Sequence, residues 1–237
     1  MKDVLKIGIL IADDDEYAPV LKKAEEYGAE EFGFYSRRGH KITVNIGKTT
    51  AELWFLLCGT GKINAALAAL FLIEKGVDIM LNVGLSGGIS GISRGEIMVG
   101  TEYSEHDFDL TPLGYKLGEK PGQKYVYPAD KRLISAITSR FPEIKCGAVV
   151  TGDSFVSDSS LRELLKREFS AMSCDMESAA EAYICSEAGV PFCAVRRISD
   201  DAGEEATENY RSMNSLADSC LIDIFFDSLE SICSENF

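Results

Sequence analysis

Glu52–Cys58 (ELWFLLC) runs into Gly59-Thr60-Gly61-Lys62 and then into Ile63–Lys75 (INAALAALFLIEK). A second apolar run, Ile79–Val83 (IMLNV), follows and ends in Gly84-Leu85-Ser86-Gly87-Gly88. The first and last runs have the length and composition of buried strands, and the Ala/Leu-rich piece between them has the length of a helix. A strand, a glycine turn, a helix and a second strand make one unit of an α/β fold, whose sheet is mostly parallel and covered on both faces.

The same alternation extends in both directions. Lys6 to Ala12 reads as a buried strand, followed by Asp13-Asp14-Asp15-Glu16 and a helical pattern through Glu26. Phe32–Tyr35 and Lys41–Ile46 read as a hairpin joined around Arg37-Arg38-Gly39. Beyond the central unit, Ile97–Val99 continues the sheet, and the polar, Gly- and Pro-containing stretch Asp107–Tyr127 reads as a long functional loop. Lys131–Phe141 is expected to be helical and Cys146–Val150 a strand ending in Thr151-Gly152-Asp153-Ser154-Phe155. Leu161–Phe169 and Glu177–Ala188 are expected as helices, the second stopped by Gly189 with Pro191 beyond it. Phe192–Ile198 reads as a strand and Ser215–Ile232 as a closing amphipathic helix. No Pro/Ser-rich linker or internal repeat divides the chain, so residues 1–237 are expected to form one domain.

Composition narrows the function. Hydrophobic residues make up 46% of the 237, enough for a sizeable core. With 24 Lys+Arg against 38 Asp+Glu the net charge is −14, which argues against nucleic acid or an anionic membrane as partner. The seven cysteines lie mostly within apolar runs, without the close spacing of a zinc site or redox motif. Buried reduced thiols suggest a reducing compartment. Lys6–Ala12 is too short for a membrane span, and its flanks are not those of a signal peptide, so the expected location is cytoplasmic.

Chemistry-bearing residues gather at expected strand ends, where open α/β sheets bind ligands. Glu177 falls at the start of an apolar helix and Asp200 just past an apolar strand, each suited to stabilising positive charge or delivering a proton. Phe155 follows a turn of small polar residues, as core or as a stacking platform for a planar base. His40 and His106 have no spaced partners, which disfavours a metal site or a histidine triad. Cys174, beside Asp175, reads as a packed thiol for want of a nearby base.

Taken in order, Ile7-Gly8-Ile9, Gly59–Ala66, Gly84–Gly88, Arg94–Ile97, Gly152–Phe155, Met176–Ala180 and Ile198–Asp200 resemble the purine nucleoside phosphorylase/nucleosidase superfamily, most of all its 5′-methylthioadenosine/S-adenosylhomocysteine nucleosidases. The resemblance implies a single-domain three-layer sandwich around a central, mostly parallel, mixed sheet. It also implies cleavage of the N-glycosidic bond of a 5′-substituted adenine nucleoside in methionine salvage, without a cofactor. Glu16 would activate the attacking water, Glu177 would bind the ribose hydroxyls with Met176 beneath the sugar, and Asp200 would protonate the purine N7. Phe155 would stack on the base and the backbone of Val156 would read its amino edge, with Leu85 and Ser86 also at the substrate. Ser199 and Arg196 would orient Asp200 and Glu177. In a homodimer, the Asp107–Gly122 loop would bring Leu110 and Leu113 to the partner's 5′-substituent pocket.

Water is favoured over phosphate as nucleophile, because Asp13-Asp14-Asp15-Glu16 would repel a dianion and Asn82-Val83 stand where a phosphorylase arginine is expected. Three positions depart from the family pattern. Leu85 replaces a hydroxyl residue, Asp13 an apolar one near the sugar, and Arg197 a small one that, with Arg37 and Arg38, could serve an anion. A phosphate-dependent phosphorylase and a non-catalytic nucleoside binder on the same fold remain the alternatives.

Overall fold

Every residue of Ile7–Ile11 except Gly8 is a buried apolar side chain, because this strand is flanked on both edges and covered on both faces. It belongs to β1 (Val4–Ile11) of a computed structural model that describes residues 4–214 and 220–237. After β1 come α1 (Asp14–Tyr27), β2 (Glu30–Phe34), β3 (Arg37–Ile46), β4 (Thr49–Leu57), α2 (Lys62–Glu74), β5 (Ile79–Gly88) and β6 (Ile97–Glu105). A 3-10 turn at Thr111–Leu113 precedes β7 (Val126–Pro128), α3 (Lys131–Arg140), β8 (Lys145–Thr151) and α4 (Ser159–Phe169). The remainder is β9 (Ser173–Asp175), α5 (Ser178–Ala188), β10 (Phe192–Asp200), α6 (Ala206–Asn214) and α7 (Cys220–Ser234). The expected start of the last helix at Ser215 lies outside the described residues.

All strands join one mixed sheet in the order β10-β6-β8-β9-β5-β1-β4-β3-β2, with β7 added beside β6. Its central pairings, β1 with β4 and β5 and β5 with β10, are parallel. β10 also pairs with β5, so β5, β10, β6, β8 and β9 close into a ring, and β1 to β4 extend from it as an open wing. Closure removes the free edges in this half of the sheet. The mixed α/β architecture agrees with the expected class.

Two local readings change. Gly84–Gly88, expected to lie beyond the strand Ile79–Val83, continues β5, where Gly87 and Gly88 pair with Cys174 and Ser173. Arg37-Arg38-Gly39, read as the hairpin connection, lies inside β3, and the turn falls at Tyr35-Ser36. A Cβ at Gly39 would stand 2.3 Å from the Phe32 ring and 2.7 Å from the Phe55 carbonyl, so packing explains this glycine. The chain also forms β9 and α6, which the sequence pattern did not announce.

Helix ends follow ordinary capping. Asp158 starts α4 by accepting from the backbone N–H groups of Ser160 (2.6 Å) and Leu161 (3.3 Å). Asp158→Ala is expected to destabilise the fold by about 1 kcal/mol, measured by urea unfolding; an unchanged midpoint would show the cap to be idle.

Candidate active site

A cleft opens where β1, β4, β8, β9 and β10 end and along the last residues of β5. Its walls include Ala12 and Asp13 after β1, Thr60 after β4, and Leu85, Ser86 and Gly87 of β5. Ser154, Phe155 and Val156 follow β8, Met176 and Glu177 follow β9, Ser199 and Asp200 end β10, and Tyr210 on α6 adds the roof. Glu16, Leu85, Ser86, Phe155, Val156, Met176, Glu177, Ser199 and Asp200 therefore meet in one place. Arg196 does not line the cleft, and neither do Leu110, which is half-buried, and Leu113, which is 71% exposed on its loop.

Arg196 lies 1% exposed behind the site. Its Nη2 pairs with Asp175 Oδ2, donates to Ser178 Oγ at 2.9 Å and stands 3.7 Å from Glu177 Oε2. Asp175 also accepts from Thr151 Oγ1 at 2.5 Å, from Ser178 Oγ, and from the N–H groups of Glu177 and Ser178, both at 3.3 Å. This carboxylate thus joins the start of α5 to the Arg196 charge. Sequence reading passed over Asp175; its place two residues before Glu177, just ahead of α5, was the available signal.

Glu177 sits at the N-cap of α5 and its Oε1 accepts from Gly61 N at 2.9 Å. Gly61 has φ +96°, a conformation that favours glycine, so the turn before α2 delivers a backbone donor to Glu177. Burial raises the Glu177 proton affinity, and Arg196 opposes the rise. Glu16, in the first turn of α1, reaches β5, where Leu85 N donates to its Oε1 at 2.7 Å; its Oε2 is buried and has no protein partner. Burial pushes Glu16 up to about 7 against the pull of Leu85 N–H and Arg196. A Cβ at Gly84 would meet Arg196 Nη1 at 2.5 Å and both Glu16 oxygens at 3.1 Å, so only glycine lets these groups gather over β5.

Asp200 is 1% exposed, with Ser199 Oγ donating to Oδ2 at 2.6 Å and Ala202 N to Oδ1 at 2.8 Å. Burial raises its proton affinity, the two donors lower it, and Asp201 adds to the rise. Phe155, 43% exposed, packs edge-on against Tyr210 at 5.5 Å between ring centroids. Arg94 fixes the roof by donating Nε to Ser199 O at 2.9 Å and Nη2 to Asn209 O at 3.0 Å. Behind Glu177, buried Glu181 accepts from Asn82 Nδ2 at 2.9 Å, and desolvation pushes its carboxyl well above the usual range. Burial likewise raises the Cys174 thiol, in keeping with a packed rather than nucleophilic cysteine.

Two of the arginines considered for an anion are otherwise engaged. Arg37 donates to Cys58 O and Asn64 Oδ1, and Arg38 pairs with Asp14 at 2.8 Å. Among the described residues, the cleft walls carry Asp13, Glu16, Asp175, Glu177 and Asp200 and no lysine or arginine.

The raised pKa of Glu16 has a stability consequence. Its folded-state value of about 7 exceeds the ordinary carboxyl value of 4.5. Its contribution is therefore fully present below pH 4.5 and is lost as pH rises through about 7. Stability of Glu16→Gln relative to the native chain is expected to be higher at about pH 8 than at about pH 5, as read by urea unfolding; a pH-independent difference would place an ionised carboxylate there at both pH values.

Comparisons with known proteins agree with this geometry. The phosphorylase superfamily model matches residues 6–225. A 5′-methylthioadenosine/S-adenosylhomocysteine nucleosidase from an Exiguobacterium strain is 34% identical over 214 residues, covering 87% of this chain and 89% of its own. One from Halalkalibacterium halodurans is 37% identical over 216 residues, covering 86% and 89%. The Helicobacter pylori nucleosidase solved with butyl-thio-DADMe-Immucillin-A superposes with a TM-score of 0.88 at 26% identity, covering 97% and 99%. The chain belongs to the phosphorylase superfamily and, within it, to the 5′-methylthioadenosine/S-adenosylhomocysteine nucleosidases, which are N-glycosyl hydrolases.

Proposed function

We propose that this cleft hydrolyses the N-glycosidic bond of 5′-methylthioadenosine, S-adenosylhomocysteine or both, releasing adenine. The observation that carries the reading is the convergence of Glu16, Glu177 and Asp200 on one cleft, each with raised proton affinity, among walls that, in the described residues, carry no lysine or arginine.

The chemistry follows from the groups. As the C1′–N9 bond breaks, its electron pair moves into the purine, and Asp200 gives a proton to N7 so that adenine leaves neutral. Positive charge grows on the sugar, where Glu177, fixed by Gly61 N–H, binds the ribose hydroxyls and favours the cation over the neutral substrate. Met176 lies beneath the ring. Water bonds to C1′ and loses its proton to Glu16, whose pKa near 7 suits a general base at neutral pH. Phe155 stacks on the base and the Val156 backbone reads its amino edge. Ser199 orients Asp200, and Arg196 acts through Asp175 and Glu177 without touching the substrate. Leu85 contributes its backbone N–H to Glu16, which needs no side-chain hydroxyl at that position.

We read residues 1–237 as one nucleosidase domain that works as a homodimer. Ile63, Leu67 and Leu70 form an exposed apolar stripe on α2, and Leu113 is exposed on the loop assigned to the partner's pocket. Cytoplasmic residence and a place in methionine salvage are supported by seven cysteines without a disulfide and by the expected substrates. A phosphorylase reading is weakened by the acidic walls, since phosphate binding calls for cationic donors.

The test is base release from 5′-methylthioadenosine, S-adenosylhomocysteine, adenosine and inosine, each with and without phosphate. Adenine and free sugar without phosphate are expected; release only with phosphate, as a sugar 1-phosphate, would identify a phosphorylase. Asp200→Asn is expected to lower kcat by about 10²–10⁴-fold with a much smaller effect on substrate binding. Glu16→Gln should lose hydrolysis while remaining folded, and retained turnover would remove Glu16 from the mechanism.

A further inference from the structure

Two walls of the cleft, the turn after β4 and the loop after β8, are joined by residues that do not line it. Gly61 and Lys62 present successive backbone N–H groups to two carboxylates: Gly61 N donates to Glu177 Oε1 at 2.9 Å, and Lys62 N to Asp153 Oδ1 at 2.8 Å. Thr60, just before this turn, and Phe155, two residues after Asp153, both line the cleft. α2 starts after Gly61 without a side-chain cap of its own, and Asp153, 91 residues from Lys62 in sequence, takes the place of that cap. The contact is close, since a Cβ at Gly61 would stand 3.1 Å from Asp153 Oδ1. Peptide planes are rigid, so with Gly61 at φ +96° the bond from Lys62 N to Asp153 limits the direction of the neighbouring Gly61 N–H.

A second pair of bonds closes the arrangement. Asp107 Oδ2 accepts from Asp153 N at 2.8 Å, while its Oδ1 accepts from Lys62 Nζ at 2.6 Å. Lys62 Nζ also donates to Glu105 at 2.9 Å. Lys62 therefore holds the loop after β8 twice, by its backbone directly and by its side chain through Asp107. Burial works against both charges and the bonds between them outweigh it, leaving Asp107 below and Lys62 above their ordinary pKa values. Burial also lowers the proton affinity of His106, which lies between Glu105 and Asp107, so the cluster keeps one charge state around neutral pH.

We propose that Asp153 is a positioning residue for the hydrolysis: with Lys62 and Asp107 it clasps the two walls together, aims the Gly61 N–H at Glu177, and sets Phe155 at the base in register with Glu177 at the sugar. The role rests on the nucleosidase reading, in which Glu177 acts ionised. Burial raises the proton affinity of Glu177, and the Gly61 N–H is among the groups that pull it back. Loosening that N–H makes Glu177 ionise at a higher pH. Removing the Asp153 charge would by itself act in the opposite direction, so the sign of the shift separates positioning from plain electrostatics. Arg196 of β10, Asp175 of β9, Glu16 of α1, Glu181 of α5, Cys58 after β4 and Tyr210 of α6 also face Glu177, and the substitution leaves them in place.

The test measures kcat/KM for 5′-methylthioadenosine and S-adenosylhomocysteine at about pH 6 and about pH 8, since this parameter reports ionisation in the free enzyme. The native chain is compared with Asp153→Ala, Asp153→Asn and Lys62→Met, each checked for folding by its melting curve. Asp153→Ala should lose about tenfold at the lower pH and clearly less at the higher one. Asp153→Asn, whose amide oxygen still accepts from Lys62 N, should restore most of the loss. Lys62→Met keeps both backbone bonds and frees only the Asp107 side, so it should show the same pH dependence at smaller size. Native rates in Asp153→Ala, or a loss equal at the two pH values, would overturn the role of Asp153 while leaving the hydrolase reading in place. Should Asp153→Ala fail to fold, native behaviour of Lys62→Met at both pH values would overturn it instead. Absence of cleavage of either substrate by the native chain would overturn the nucleosidase reading itself.

Discussion

The buried pair of Arg196 and Asp175 is the constraint on which the site depends. A guanidinium 1% exposed cannot be left alone, because an uncompensated buried charge costs several kcal/mol. Asp175 meets it directly, and Glu177, Glu16 and Glu181 lie within range of its field. One cation cannot ionise four carboxylates in a dry interior. The best-solvated by hydrogen bonds, Asp175, holds the ion pair, and the others take up protons more readily than free carboxyls do. The raised proton affinity of Glu16 and Glu177 is therefore a by-product of how the core was closed.

The fold supplies this arrangement at little local cost. Arg196 emerges from β10 opposite Gly84 of β5, and the missing side chain at Gly84 leaves room for both the guanidinium and the Glu16 carboxylate. α5 starts directly beneath, and its free N–H groups face Asp175, so the helix terminus and the arginine share one anion. The roof is tied to the acid in a similar way: Arg94 holds the Ser199 carbonyl and α6 together, and Ser199 in turn holds Asp200.

Much of this was legible in the sequence because the chemical residues sit in short, continuous stretches at strand ends. Glu177 follows β9, Asp200 closes β10, and Phe155 follows β8, so local pattern and motif order located them together. The parts that escaped depend on partners distant in sequence. Asp175 looked like the neighbour of a thiol, since its arginine lies 21 residues away. β9 is three residues long, too short for any periodicity, and without it Gly84–Gly88 looks like a turn rather than a paired strand. α6 is largely polar, so Tyr210 carries no pattern that separates a roof from a solvated helix. Arg37–Gly39 mimicked a turn by composition, while the actual reversal uses Tyr35 at φ 51°, a residue type with no preference for that conformation.

β5 is paired with β1, β9 and β10, and this has a metrical consequence. Leu85 donates to Glu16 and Gly87 stands opposite Asp200, so the two carboxylates proposed as base and acid are registered to the same strand two residues apart. At roughly 3.3 Å per residue, that strand is a ruler about 7 Å long between the backbone positions that face Glu16 and Asp200. An insertion or deletion between Leu85 and Gly87 would do more than lengthen or shorten it, because a one-residue slip turns alternate side chains to the other face. Substitutions of cleft side chains leave the length of this ruler unchanged, whereas any change in the number of residues between Leu85 and Gly87 alters it.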